Sequence, residues 1–248
     1  MSENKELSVL NELFEGENAL ATQSAEELRE LASLSQASSF LQRLQLYSKG
    51  KSGPSGTIIE GGHFGVPQGD NIEDLGNSID VLVLARKAKA IDMSDSDNII
   101  VTNDTTSDEF KRIEDMANNV KDSGCAYGPT YLVYERSTRK FYEFFCGNKS
   151  GRVESSKINE YLPVTNAMIT AGVTNEKEPR FAKPMTLKSS YVKKGKWEWF
   201  APKAEDCLQK IDLPTADALR SEMERFLKKE SPEVQTASED SRQSKRKR

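Results

Sequence analysis

The sequence predicts an α+β fold: an antiparallel β-barrel, partly closed and of the oligonucleotide-binding (OB) kind, with helices at both ends and one inserted helix. A β-sandwich is the alternative arrangement of the same strands. Three observations point there. "TYLVYERSTRKFYEFF" and "MTLKSSYVKKGKWEWFAP" each read as two strands around a polar turn. "SIDVLVLARKAKAID" (78–92) holds a near-continuous apolar run that suits a central strand. Helical periodicity is confined to the start, one internal segment and the end, which leaves about six to eight short strands for a small barrel.

Taken in order, residues 1–38 read as an acidic helical region. Leu7, Leu10 and Phe14 fall on one stripe, and Ser24 with Glu27 has capping-box spacing. The core domain is expected over 39–203. It opens with a strand at "SSFLQRLQLY", followed by a Gly/Pro/Ser loop and the glycine-rich "GGHFGVPQG". After the central strand and a short "NIIVT" strand, Phe110, Ile113, Met116 and Ala117 mark an amphipathic helix stopped by Gly124. The two hairpins then turn at Arg136–Arg139 and at Lys194-Gly195. Residues 204–230 carry a last helix, with Leu219, Met223, Phe226 and Leu227 on its apolar face. Residues 231–248 are too polar to build a core and are expected to form a disordered basic tail.

Composition narrows the function. At 248 residues, with 36% hydrophobic and 30% charged residues, a modest core with polar arms is expected. The longest strongly apolar run is "VLVLA" (81–85), far short of the roughly 20 residues a membrane helix needs. The three cysteines contain no CxxC and the only histidine is His63, so neither zinc nor another cofactor is expected. Reduced thiols suit a cytoplasmic setting. The net charge of −4 is segregated: residues 1–30 and 92–122 each balance at −6, residues 134–203 at +7, and "SRQSKRKR" at +5. A polyanion binder shows such a pattern.

The stretch "RKFYEFFCGNKSGR" (139–152) concentrates the question. It lacks the G-x-x-x-x-G-K-[ST] sextet of a phosphate loop and the small residues of the RNA-recognition signature. Its alternation sets Phe141, Glu143 and Phe145 on one face and Tyr142, Phe144 and Cys146 on the other. The carboxylate of Glu143 suits an open face, but alternation alone does not fix which set points outward. The Glu143 face would present Phe141 and Phe145, as half-covered core or as stacking rings; with the facing open, Tyr142 and Phe144 are the rings carried as candidate base stackers. "YVKKGKWEWF" repeats the theme, with lysines at a hairpin tip ahead of Trp197 and Trp199. Cations beside stacked aromatics are the parts of a single-strand groove. His63 has no nucleophile near it in sequence, and Asp92, Asp95 and Asp97 lack the glycine and glutamate of a calcium loop. A nuclease would need a cluster of metal-binding acids, and none is evident.

The order of "FLQRLQL", "GHFGV", "DVLVLARKAKA", "DSGCAYGPTYLVYE", "FFCGNKSGR" and "MTLKSSYVKKGKWEWFAP" resembles a group of bacteriophage-encoded proteins of poorly assigned function, over about residues 40–203. In architecture alone, the chain resembles phage single-stranded DNA-binding proteins. These commonly end in an acidic tail, whereas this chain ends in Lys245–Arg248. The resemblance implies a non-enzymatic protein of phage DNA replication or recombination that binds single-stranded nucleic acid in the host cytoplasm. Arg139, Lys140, Lys149, Arg152, Lys193, Lys194 and Lys196 are the expected phosphate contacts. Tyr142, Phe144, Trp197 and Trp199 are the expected stackers. The acidic N-terminal helices are expected to meet protein partners. The alternative is a virion-associated interaction protein that binds no nucleic acid.

Overall fold

The structure, a computed structural model, describes residues 41–227 except 53–57, 70, 96 and 173, together with residues 233–236. The predicted acidic helices of residues 1–38 and the basic residues at the extreme end lie outside the described residues. Five short strands come first: β1 (Arg43–Leu46), β2 (Lys51–Ser52), β3 (Ile58–Ile59), β4 (Phe64–Gln68) and β5 (Asn71–Gly76). The long β6 (Ser78–Asp92) and β7 (Asn98–Thr102) lead to α1 (Asp108–Asn119). Next come β8 (Cys125–Glu135), β9 (Lys140–Phe145), α2 (Lys149–Ile158) and α3 (Asn166–Thr170). The second hairpin is β10 (Pro184–Lys194) with β11 (Trp197–Asp206), and α4 (Ala216–Leu227) and β12 (Glu233–Thr236) follow.

Ten strands form one sheet in the order β11-β10-β6-β8-β9-β1-β4-β5, with β7 paired to β6 and β12 to β7. The sheet is mixed but mostly antiparallel. Its one parallel ladder among the described residues sets Arg43 opposite Glu143 and Leu44 opposite Phe144. It is not closed, because no ladder joins β11 to β5 among the described residues. Strand pairing therefore completes no barrel. The sheet curls instead: Gly62, at φ +89°, brings the turn ahead of β4 under the ring of Phe200 in β11. A Cβ on Gly62 would lie 2.8 Å from that ring, so only glycine fits without displacing it.

Each face of the sheet carries its own apolar layer. On one, Leu44, Phe64, Val81, Tyr131, Tyr142, Phe144 and Leu187 pack with Ile158 and Tyr161, at and just beyond the end of α2. On the other, Leu82, Leu84, Leu132 and Tyr134 meet Leu219, Met223 and Phe226 of α4. Leu227, predicted on that apolar face, is instead half exposed, at the margin of the buried Leu219–Met223–Phe226 stripe. A bulge between Val83 and Ala85 resets the alternation of β6, so Val83 serves the first layer and Ala85 the second. α1 is capped by Ser107, whose hydroxyl accepts from Phe110 N, and buries Phe110 and Ile113 beside Ala90.

Two boundaries differ from the expectation. Of residues 231–248, expected to form a disordered basic tail, the structure describes only Glu233–Thr236, which pairs antiparallel with β7. Backbone pairing at an open strand edge does not require the apolar side chains this segment lacks. The core domain, expected to end at 203, extends through the last rung of the β10–β11 ladder, Met185 opposite Asp206.

Candidate nucleic-acid interface

The β10–β11 hairpin is longer than the sheet that supports it. β10 pairs with β6 only through Pro184–Lys188; beyond that, its ladder is with β11 alone. The outer half is thus a two-stranded arm, turned by Gly195 at φ +61°. Register divides its side chains. Val192 and Lys194 lie opposite Trp199 and Trp197 and share their face, while Tyr191 and Lys193 lie opposite Phe200 and Glu198 on the other.

The Trp face carries the exposed chemistry. Trp197 is 64% exposed, and the Lys196 ammonium sits 5.4 Å from its ring centroid. Lys194 makes no ion pair among the described residues. Trp199 is half-buried, and its indole N–H donates to Ser150 Oγ at 3.0 Å, docking the arm against the first turn of α2. That turn is set by Asn148, whose side chain accepts from Gly151 N at 2.6 Å. Lys149, exposed and next to Ser150, therefore stands beside the arm although 44 residues separate Lys149 from Lys193 in sequence.

The opposite face is partly neutralised. Tyr191, 53% exposed, meets Phe200 edge-on at 5.5 Å, and Lys193 Nζ lies 2.8 Å from Glu198. The Lys193 ammonium and the Tyr191 hydroxyl hold the Glu198 carboxyl below its usual range. Lys193 is thus the least available of the three tip lysines. Tyr191 is a ring that the sequence argument missed. Its place opposite Phe200 follows from a turn at Gly195-Lys196, one residue beyond the expected Lys194-Gly195, which would have set Tyr191 opposite Glu198.

The remaining predicted residues do not join this surface. Tyr142 is fully buried and Phe144 is 3% exposed, so neither presents a face to a base. The Tyr142 hydroxyl is used by Thr138, 3.1 Å away. The other face of β9 is not open either, because Glu143 is buried against Lys89, with Nζ 2.5 Å from Oε1. Arg152 spends its guanidinium on structure: it donates to the carbonyls of Tyr127 and Gly147, at 3.1 and 2.8 Å, and stacks on the Tyr127 ring. Arg139 and Lys140 lie at the other end of β9 from α2, roughly 20 Å away at about 3.3 Å per residue. Lys140 there faces Glu73 at 3.8 Å.

Other candidate chemistry is structural. His63 Nδ1 lies 2.9 Å from the Asp74 carboxylate, tying the turn before β4 to β5. Asp92 takes Arg112 at 2.6 Å and the amide and hydroxyl of Ser94. Burial pushes its carboxyl up, but these bonds prevail and hold it at about 2. Asp95 accepts from Asp97 N and Asn98 Nδ2, closing its own loop. No group of three metal-binding side chains occurs among the described residues, and no helix among them is long and apolar enough to cross a membrane.

Two clefts flank the sheet. The larger, about 620 Å³, lies between the 136–139 turn and residues 209–212. Its Arg136, Arg139 and Lys210 are matched by Asp80, Glu135 and Asp212, so it has no net charge preference. The smaller, about 280 Å³, touches the interface itself, since Asn148, Gly151 and Pro202 line it. No family model, curated protein or solved structure matches this chain.

Proposed function

We propose that this protein binds single-stranded nucleic acid without strong sequence preference, through the Trp face of the β10–β11 arm and the start of α2. The observation that carries the proposal is Trp197, a 64% exposed indole with a lysine over its ring, on an arm freed from the sheet. An indole left 64% exposed buries little within the fold, whereas a base stacked on it gains roughly 1–3 kcal/mol whatever the base. Lys149, Lys194 and Lys196 supply phosphate contacts, with Lys193 in a lesser role because Glu198 competes for it. In this proposal the curled, open sheet acts as an OB-type surface does, with the arm as one wall. A place in phage DNA replication or recombination rests on the sequence resemblance alone.

The test is elution from single-stranded DNA cellulose along a salt gradient. Retention with salt-dependent release supports the proposal. Passage through the column at low salt overturns it and favours the rival, an assembly protein without nucleic-acid binding.

A further inference from the structure

The smaller cleft has an unusual floor. Lys89 on β6 and Glu143 on β9 reach across β8 to each other, at 3% and 9% side-chain exposure. A buried ion pair is poor value for stability, since apolar side chains of similar volume usually serve as well or better. Here the pair also has capacity to spare. A lysine ammonium has three donors and a carboxylate two oxygens, while this contact uses one N–H and Oε1. Both residues line the cleft, with Arg43 at its rim and Met93, Phe144 and Phe145 among its apolar walls.

The cleft is also continuous with the arm. Pro202, three residues along β11 from Trp199, forms one wall, and Asn148 and Gly151 of the turn that docks Trp199 form another. Its volume of about 280 Å³ lies at the small end of ligand sites, which run to about 300–1,000 Å³. That suits one base and excludes a dinucleotide cofactor.

We infer that this cleft receives a single unstacked nucleobase, and that the Lys89–Glu143 floor selects guanine. Guanine places two adjacent donors, N1–H and N2–H, where a carboxylate accepts both, and beside them the O6 acceptor that an ammonium serves. No other base offers two adjacent ring-edge donors next to an acceptor. The inference rests on the nucleic-acid proposal above. It adds one position of base choice to a strand otherwise held by stacking and charge.

The experiment titrates the full chain with GMP, AMP, CMP and UMP, following heteronuclear NMR shifts and melting temperature. The expected result is saturable GMP binding, at least tenfold tighter than the other three, with shifts at Gly147 and Gly151. Glu143→Gln should abolish the preference. Because that variant leaves Lys89 buried without its counter-charge, a Lys89→Met/Glu143→Leu double variant provides a folded control that should also lose it. Equal binding of all four nucleotides, or none, overturns the inference, as does preference retained in a variant that melts like the parent. Binding of a zwitterionic amino acid in place of GMP overturns it as well. Retention on single-stranded DNA cellulose is read separately. A protein retained there but blind to GMP loses the guanine site and keeps the arm.

Discussion

The indole N–H of Trp199 donates to the hydroxyl of Ser150 at 3.0 Å, which joins the outer hairpin to the first turn of a helix 49 residues earlier. Trp197, on the same strand face, makes no such bond and is left 64% exposed. Two tryptophans that look equivalent in sequence thus have different surroundings: one fixes the arm, the other stays largely open to solvent, and in the proposed function it is the second that meets a base.

Trp197→Ala should therefore weaken single-strand binding by roughly 1–3 kcal/mol while shifting the melting temperature little. Oligothymidine should quench the parent's fluorescence, and the quench should shrink in Trp197→Phe. Emission unmoved at saturating oligonucleotide would remove Trp197 from the site.

The lysines should separate by their partners. Lys194→Ala and Lys196→Ala should each lower the slope of log affinity against log salt by about 0.7. Lys193→Ala should lower it less, because Glu198 already holds that ammonium. Equal losses at all three positions would show that the Glu198 pair opens on binding.

Tyr142→Ala and Phe144→Ala test the rings assigned to the core. Each should cost about 3–5 kcal/mol of folding free energy, read by chemical denaturation. At a temperature where it stays folded, Tyr142→Ala should match the parent's affinity for oligonucleotide; Phe144, which also walls the smaller cleft, reports on stability alone.

Asp92 gives the fold an acid limit. Its folded carboxyl is held at about 2 against an ordinary 3.8, so its contribution is complete above about pH 4 and is lost as pH falls toward 2. A shift of that size corresponds to stability on the order of 2 kcal/mol. Asp92→Asn should be less stable at neutral pH and show a flatter decline between pH 4 and 2. Parallel stability–pH curves for the two proteins would contradict this.

Much of the strand layout is legible in sequence because its signals are local. The turns at Arg136–Arg139 and Gly195, the 3.6-residue period of α1 and the Leu219–Met223–Phe226 stripe all lie within about a dozen residues of what they specify. The facing of β9 is not local. Glu143 looks like a marker of solvent until Lys89, 54 residues away, is brought against it. Nor could the sequence show that Arg152 would be consumed by the carbonyls of Tyr127 and Gly147, which depends on α2 folding back beside β8. The convergence of Lys149 with the arm was similarly hidden. Asn148 is a recognisable cap, but nothing near it says which strand the helix start will touch.

The parallel ladder between β1 and β9 sets a schedule for synthesis. Arg43 must wait for Glu143, its partner 100 residues later. At about 5–20 residues per second, the nascent strand spends roughly 5–20 s without the edge it will join. β4, which pairs with β1 at Leu46–Phe64, can meet it much sooner. Chain order thus lets β1, β4 and β5 pair with one another before translation reaches the β8–β9 hairpin, leaving the docking of β1 onto β9 as the late step. Slow codons placed after residue 145 would favour that docking, whereas a pause before it would prolong exposure of the waiting edge.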